Sequence, residues 1–439
     1  MGAACCAGGG AGTLLGVADG SMLSYGMGLI LEGLAFVPVS VVVPTLVAAL
    51  VAPYFALRMA APTPHTTTAA ERTYTTAACA PRTLPLPALR DAAAVQLTVV
   101  VPMYNEAQRL PSMLDESVAW LEGVRAVRGA LAGEPTDRAP AALTAPLTTY
   151  ELLLVDDGSS DDTFDVALAY AQKRALPPGA EIRITRLHTN RGKGAAVRHG
   201  VLHARGAHIL FADADGATRF ADLGALAREM ARMCTREGHG IVVGSRAHLV
   251  TSDAVVKRSR LRNLLMRGFH VTLRLLMRPP SLSSLGRDVA HMLPTWLTRT
   301  PAGVRTHARV TPLAVQPEIR DTQCGFKLFS RASAQLIFPR AHIDRWIFDV
   351  ELLLLAEMAG RASEGEHAMR QLACGCGDVD GTKGDPLEKL PLPIGEVPVH
   401  WTEIDGSKIH LLADSLRMGR DLLVIRMSYA LGRWARPPK

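Results

Sequence analysis

Short apolar runs alternate with longer amphipathic stretches between residues 96 and 245. The apolar runs have the length and residue types of strands buried on both faces; they cover residues 96–102, 151–155, 182–187, 208–212 and 241–244. Four intervening stretches predict helices, at residues 107–128, 163–171, 194–204 and 222–234. Strands that alternate with helices predict an α/β fold, with a mostly parallel sheet covered by helices on both faces.

A polar or glycine-rich cluster follows each of the first four predicted strands. The clusters are VPMYNE at 101–106, DDGS at 156–159, NRGKG at 190–194 and DADG at 213–216. In sheets of this kind, ligands bind beyond the carboxyl ends of the strands. We therefore expect the four clusters to form one site.

The DADG cluster carries Asp213 and Asp215 directly after a buried strand. Two carboxylates at this spacing suit a hard divalent cation, Mg²⁺ or Mn²⁺, that also takes phosphate oxygens from a substrate. An Asp-x-Asp pair alone also occurs in many ordinary loops. The three neighbouring clusters favour the metal site.

Two clusters offer groups that suit a nucleoside. Tyr104 presents an aromatic face to a base, and Asn105 and Glu106 offer hydrogen bonds; the alternative is that Asn105 caps a helix with Glu106 in its first turn. Asp156 and Asp157 offer acceptors for a nucleobase N–H and for ribose hydroxyls, or they form an acidic turn before the next helix.

The NRGKG cluster opens the predicted helix at 194–204. Gly192 lets a ligand approach the backbone closely, and a helix N-terminus flanked by Arg191 and Lys193 favours phosphate. The spacing is not that of a Walker loop.

The N-terminal part has a different pattern. Residues 1–28 form a tail rich in Gly and Ala, and residues 29–57 are mostly apolar. As a helix the apolar stretch is roughly 40 Å long against ~30 Å of hydrocarbon, which predicts a transmembrane anchor, the alternative being a membrane-embedded hairpin bent at its prolines. Basic residues only after the stretch place its C-terminal side in the cytosol. Residues 58–95, rich in Thr, Pro and Ala, predict a linker.

Charge and cysteine content narrow the class of protein. A net charge of +7 indicates an anionic partner, either a nucleotide, a phospholipid or a nucleic acid. Aromatic residues are only 5% and no nucleic-acid-binding motif is visible, which makes nucleic acid the weakest of the three. Seven scattered cysteines indicate reduced thiols rather than a disulfide framework.

In this order, the four clusters resemble those of the family 2 glycosyltransferases, which have the GT-A fold, a Rossmann-like arrangement. Later motifs resemble the dolichyl-phosphate β-glucosyltransferases: VGSRAHL, RDTQCGFKLF, RWIFDVELL and WTEIDGSK. The resemblance covers residues 96–278 and 319–435. It implies that the domain 96–439 transfers glucose from UDP-glucose to dolichyl phosphate with inversion, at the cytosolic face of the endoplasmic reticulum membrane. The alternatives are dolichyl-phosphate mannose synthase, another polyprenyl-phosphate glycosyltransferase, and a non-catalytic subunit that binds nucleotide sugars.

The resemblance also implies site residues. Asp213 and Asp215 would hold the cation that bridges the diphosphate. The predicted nucleotide-sugar pocket consists of Pro102, Tyr104, Asn105, Glu106, Asp156, Asp157, Gly192, Lys193 and Asp213.

The acceptor side is predicted from charge. A phosphate monoester is already anionic near neutral pH, so it needs alignment and cations rather than a strong base. Bidentate arginines suit this role, and the candidates are Arg246, Arg258, Arg262 and Arg320. Asp321 is the carboxylate expected nearest the acceptor, where it would orient the acceptor or the sugar; the alternative is a turn before a strand. The candidate catalytic residues are Asp213, Asp215, Asp321 and Arg246. Asp349 is the candidate structural anchor of this lobe.

Two basic amphipathic stretches, 255–277 and 409–429, predict helices that lie in the membrane interface, the alternative being ordinary surface helices. Two inserted segments, at about 279–318 and 362–396, predict surface loops, and a short strand is expected at 399–401.

Overall fold

The computed structural model describes residues 62–130, 147–251, 319–359, 392–404, 411–430 and 432–435. The predicted anchor at 29–57, the amphipathic stretch 255–277 and the insert at 279–318 lie outside these residues, as do Arg258 and Arg262. Among the described helices, none combines the length and the apolar character that crossing a bilayer requires.

The predicted alternation of strands and helices is confirmed up to residue 245, with bounds that agree within three residues. The described strands are β1 (Thr73–Tyr74), β2 (Leu84–Pro85), β3 (Val95–Met103), β4 (Tyr150–Asp156), β5 (Ala180–Arg186), β6 (Gly206–Ala212), β7 (Ile241–Ser245), β8 (Phe326–Ser330) and β9 (Ile394–Pro398). The described helices are α1 (Leu110–Ala130), α2 (Thr163–Lys173), α3 (Lys193–Leu202), α4 (Leu223–Met233), α5 (Arg331–Ile337), α6 (348–359) and α7 (Leu411–Ala430).

The main sheet has seven strands in the order β5-β4-β3-β6-β8-β7-β9. The pairs β4/β5, β3/β4, β3/β6 and β7/β9 are parallel, whereas β8 runs antiparallel to both β6 and β7. Phe326 at the start of β8 therefore pairs with Ala212 at the end of β6. This reversal brings the residues before β8 to the carboxyl edge of the parallel strands.

The central strands are apolar throughout because helices cover both faces of the sheet. Leu97 and Val99 of β3 belong to the core that includes α1. Val100 lies on the other face, where Gly200 of α3 packs so closely that a Cβ would collide with Val100 and Val155. The continuous apolar pattern and the glycine thus both follow from a double-sided core.

The prediction of a linker over 58–95 is wrong for its described part, residues 62–95. Thr75 forms two backbone hydrogen bonds with Ile184 on the edge strand β5, at 2.8 and 2.9 Å. Leu89 and Glu71 are buried, at 4% and 0% exposure. The segment lacks periodicity because strand-edge hydrogen bonds and a buried carboxylate attach it, rather than an apolar face.

The strand expected at 399–401 is also wrong. The pairing with β7 is made by β9, Ile394–Pro398, with Ile241 opposite Ile394. Leu392 is buried as well, so the second insert ends before residue 392 rather than at 396. The prediction failed because β9 contains a glycine, a glutamate and a proline, and therefore has no continuous apolar run.

Candidate active site

Hydrogen bonds and an ion pair join the four polar clusters at the carboxyl edge of the sheet. The 101–106 cluster is bonded to the 156–159 cluster, which is bonded to the NRGKG loop at 190–194. The loop in turn contacts the DADG cluster at 213–216. The prediction that these clusters lie together is confirmed, and their role as one ligand site stays a prediction.

Asn105 does not cap a helix, which was the alternative to its role in a nucleoside pocket. Asn105 adopts a left-handed conformation, with φ at 53°, and its N–H donates to Oγ of Ser159 at 3.0 Å. Helix α1 begins only at Leu110, whose N–H donates to the backbone oxygen of Glu106. The Glu106 carboxylate accepts two hydrogen bonds from Arg109, each at 2.8 Å. Tyr104 and Pro102 beside them are partly exposed.

Asp156 and Asp157 fix the loops that follow their strand. The Asp157 carboxylate accepts the N–H groups of Arg191 and Gly192, at 2.9 and 2.8 Å. Burial raises the pKa of Asp157 to about 7. Asp156 is fully buried, and Nε of Arg186 lies 3.0 Å from its Oδ2. Asp157 therefore holds the NRGKG loop through backbone N–H groups, whereas Asp156 forms an ion pair with the side chain of Arg186.

Gly192 turns the chain into helix α3. Its φ is 106°, and a Cβ there would lie 2.6 Å from the backbone oxygen of Asp344. Side chains rarely adopt this conformation, so only glycine fits. The turn places Lys193 as the first residue of α3.

Lys193 connects the loop to the predicted metal ligands. Its Nζ lies 2.5 Å from Oδ1 of Asp213. Burial alone would lower the pKa of Lys193, but Asp213 and Asp349, with a smaller effect of Asp215, raise it above its ordinary value. Lys193 is therefore a permanent cation beside the two carboxylates.

Asp213 and Asp215 stand at the carboxyl end of β6. The N–H of Asp213 donates to the backbone oxygen of Gly325 at 3.1 Å, and a Cβ at Gly325 would overlap the Asp213 carboxylate. Oδ1 of Asp215 accepts the N–H of Ala217 at 3.0 Å. Both side chains are partly exposed. Among the described residues, no group of three or more His, Cys, Asp or Glu side chains could hold a metal ion, and the candidate ligands here are these two carboxylates. That donor set fits Mg²⁺ or Mn²⁺, which commonly bind one or two carboxylates together with substrate phosphate and water.

Arg246, which follows β7, and Asp321, which precedes the antiparallel strand β8, form a bidentate ion pair. Nε and Nη2 of Arg246 donate to the two carboxylate oxygens at 2.7 and 3.0 Å, and the backbone N–H of Arg246 donates at 2.9 Å. Burial opposes both charges, but the pair lowers the pKa of Asp321 and raises that of Arg246. Asp321 is thus an ionised group that orients Arg246. It also accepts the N–H of Gln323, so the alternative of a turn before the strand holds as well.

Arg320 is the remaining acceptor candidate among the described residues. Arg320 is exposed, and its backbone N–H donates to the carboxylate of Glu396 on β9. The guanidinium of Arg246 also lies 5.6 Å from the centre of the Trp401 ring.

The chain is similar to known proteins over most of its length. A sequence model of the glycosyl transferase family 2 matches residues 98–280. A dolichyl-phosphate beta-glucosyltransferase from Drosophila melanogaster is 40% identical over 80% of this chain and 81% of its own length. Proteins of the same name from Dictyostelium discoideum and Homo sapiens are 37% and 36% identical, over 77% and 80% of this chain and 76% and 80% of their own lengths.

The chain belongs to the dolichyl-phosphate beta-glucosyltransferase family. It is a glycosyltransferase with the GT-A fold that its family 2 domain and mostly parallel sheet define. Among solved structures, the glucosyl-3-phosphoglycerate synthase of Mycobacterium tuberculosis matches 76% of this chain and 80% of its own, with 17% identity and a TM-score of 0.38.

Two buried charged residues beside the candidate site, Lys327 and Glu71, were not predicted from the sequence. Lys327 on β8 is fully buried and donates to Asp349 on α6 at 2.7 Å, which agrees with a structural anchor at Asp349. Glu71 contacts the NRGKG loop at Arg191. A lysine inside the apolar FKLF run was a usable signal for Lys327, whereas nothing in the pattern around Glu71 distinguished it.

Proposed function

We propose that this protein transfers glucose from UDP-glucose to dolichyl phosphate and inverts the anomeric carbon. The named relatives support this, since they match four-fifths of the chain. The observation that carries the proposal is the contact between Lys193 and Asp213, which unites a glycine-rich phosphate loop with a pair of carboxylates. A nucleoside diphosphate sugar needs both parts, one for its phosphates and one for the accompanying cation.

On the donor side, Asp213 and Asp215 would hold Mg²⁺ or Mn²⁺, which supplies positive charge to the diphosphate as UDP leaves. Lys193 adds a second cation at the N-terminus of α3. Nζ of Lys193 lies 2.5 Å from Oδ1 of Asp213, and we propose that it also donates to a phosphate oxygen of the bound donor. Charge that develops on the departing UDP is then stabilised by groups already in position.

On the acceptor side, no strong base is required because the attacking phosphate oxygen is already anionic. Arg246 would hold the acceptor phosphate and Asp321 would keep the guanidinium oriented. The Arg246 side chain is 32% exposed, so a ligand can reach it. The acceptor is a membrane lipid, so we also propose that the enzyme works on the cytosolic face of the endoplasmic reticulum membrane, anchored by residues 29–57.

The test is an assay of the full-length chain in membranes with dolichyl phosphate, Mn²⁺ and radiolabelled UDP-glucose, with GDP-mannose in parallel. We expect a lipid-soluble glucose product from UDP-glucose alone, loss of activity with a chelator, and recovery with added Mn²⁺ or Mg²⁺. Product from GDP-mannose and none from UDP-glucose would establish the mannose synthase alternative. No product from either donor would favour the non-catalytic subunit.

The metal assignment is tested with Asp215→Asn in the same assay. Loss of one carboxylate ligand should reduce kcat by about 100-fold or more, a magnitude typical of removing transition-state charge stabilisation. Asp91→Asn is the matched control, because Asp91 is an exposed carboxylate that accepts the N–H of Ala88 and lies outside the four polar clusters. Full activity of the Asp215 variant would contradict the assignment.

A further inference from the structure

Glu71 is a completely buried carboxylate in the segment that precedes the family 2 domain. Its Oε2 accepts the N–H and the hydroxyl of Thr68, at 2.8 and 3.1 Å. Its Oε1 accepts the N–H of His188 at 3.0 Å and Nη2 of Arg191 at 2.6 Å. Two of these three partner residues, His188 and Arg191, lie on the stretch between β5 and α3.

This contact changes the role that the sequence indicates for Arg191. The NRGKG pattern favours Arg191 as a phosphate ligand, but its side chain is only 9% exposed and lies against Glu71. Lys193, two residues later, is the cation of the loop that contacts Asp213. Arg191 thus attaches the loop to the N-terminal segment through its ion pair with Glu71.

Two sets of contacts hold the 190–194 loop at Arg191. Glu71 binds the guanidinium of Arg191, and Asp157 binds the backbone N–H groups of Arg191 and Gly192. Both the side chain and the backbone of Arg191 are therefore held in place, two residues before Lys193. A loop of glycines and polar residues has little conformational preference of its own, so external contacts decide its position.

We infer that Glu71 is a positioning residue for donor binding, which acts through Arg191 to keep the 190–194 loop in the conformation that presents Lys193 to the donor diphosphate. The inference rests on the proposed function. It extends the donor site to a residue that lies 27 positions before the matched domain begins at residue 98.

The ionisation of Glu71 agrees with this role. Burial alone would raise its pKa, but hydrogen bonds from Thr68, His188 and Arg191 lower it to about 2. The carboxylate is therefore charged at any working pH, and the contact with Arg191 is a permanent buried ion pair.

The first test is Glu71→Gln in the full-length chain, assayed in membranes with UDP-glucose and dolichyl phosphate. The amide keeps the shape of the side chain but cannot accept from all four donors. If the loop then spends about a tenth of its time in the competent conformation, KM for UDP-glucose rises about tenfold. We expect kcat and KM for dolichyl phosphate to change less than about twofold, since bound donor restores the loop.

Glu181→Gln is the matched control. Glu181 is also a carboxylate paired with an arginine, Arg205. It lies near the start of β5, outside the 190–194 loop, and Arg191 is not among its described partners. This variant should keep the wild-type KM for UDP-glucose. A general loss of folding would lower the activity through kcat and through thermal stability, with no selective rise in KM.

The second test asks whether Glu71 acts through Arg191. Arg191→Gln should raise KM for UDP-glucose to a similar extent, and adding Glu71→Gln to it should cause no further rise beyond about twofold. Multiplicative effects of the two substitutions would overturn the inference, as would an unchanged KM in a folded Glu71→Gln chain.

If Glu71→Gln does not fold, Thr68→Val replaces it, because this change removes one hydroxyl from Glu71 and leaves the ion pair. We then expect a smaller selective rise in KM, and no rise would overturn the inference. A wild-type chain without glucosyl transfer would instead contradict the proposed function. Direct binding of UDP in the presence of Mn²⁺ still tests Glu71 in that case, since a weaker affinity in the variant is expected from the same contact.

Discussion

At the scale of single residues, Asp157 has an ionisation that can be measured. Its carboxylate is 2% exposed and burial raises its pKa to about 7, above the ordinary 3.8. Between these two values the folded chain keeps a proton that the unfolded chain has lost. The contribution of Asp157 to the free energy of unfolding therefore falls as the pH rises from about 4 to about 7.

Asp157→Asn removes this titration. We expect the difference in free energy of unfolding between wild type and variant to decrease steadily across that pH window, as followed by thermal or urea unfolding at several pH values. The variant should be less stable at every pH, because an amide accepts only one of the two backbone N–H groups well. A difference that is the same at pH 4 and pH 7 would show that Asp157 is ionised throughout.

Residue types in the site could be predicted, but their partners could not. The carboxylates at 213 and 215 and the lysine at 193 were found because strand ends share one edge of a sheet. The inward contact of Arg191 depends on Glu71, which is 120 residues away in the sequence. Local patterns carry no information on such long-range pairs, so an arginine in a phosphate-type loop is assigned to phosphate by default.

At the scale of elements, a buried ion pair stabilises the position of the antiparallel strand β8. Nζ of Lys327 donates to Asp349 on α6 at 2.7 Å and to the backbone oxygen of Cys324 at 2.5 Å. Cys324 precedes Gly325, which accepts the N–H of Asp213. The pair therefore supports the end of β8 that borders the carboxylate site.

Lys327→Met should destabilise the fold by about 3–5 kcal/mol, because it leaves the buried Asp349 without its partner. Adding Asp349→Leu should recover much of the loss, since both charges are then absent. Thermal unfolding of the wild type and the two variants measures this. Arg232→Met is the control, because its ion pair with Glu229 is on the surface and its loss should not be measurable. A double variant less stable than Lys327→Met alone would contradict this account.

Elements with strong periodicity were predicted, and those defined by neighbours were not. The strands and helices up to residue 245 follow from apolar runs and helical spacing. β1, β2 and β9 are short and carry polar residues or proline; β1 and β2 pair with each other, and β9 pairs with β7 of the main sheet. The antiparallel direction of β8 was not predicted either, although it is what places Asp321 beside Arg246.

At the scale of the whole molecule, helix α7 presents a mixed face to solvent. The predicted helix over 409–429 is confirmed by α7, and Leu422, Ile425 and Tyr429 are buried on its inner side. Leu416 and Leu423, seven residues apart, are 77% and 41% exposed. The side chains near them that are more than half exposed include Arg417 and Arg420. Leucines flanked by arginines suit the surface of an anionic bilayer, and the membrane role of α7 stays a prediction.

The membrane role predicts a difference between two acceptors. Replacing both Leu416 and Leu423 with glutamate adds negative charge and removes apolar contact at the bilayer surface. We expect KM for dolichyl phosphate in anionic vesicles to rise about five- to thirtyfold, the effect of losing about one to two kcal/mol of interfacial binding, whereas KM for a short, water-soluble isoprenyl phosphate should not change. Leu84→Glu is the control, since Leu84 is 38% exposed on β2, outside α7. Equal effects on both acceptors would mean that the substitutions disturb the catalytic cleft, and α7 would then be an ordinary surface helix that packs on the core.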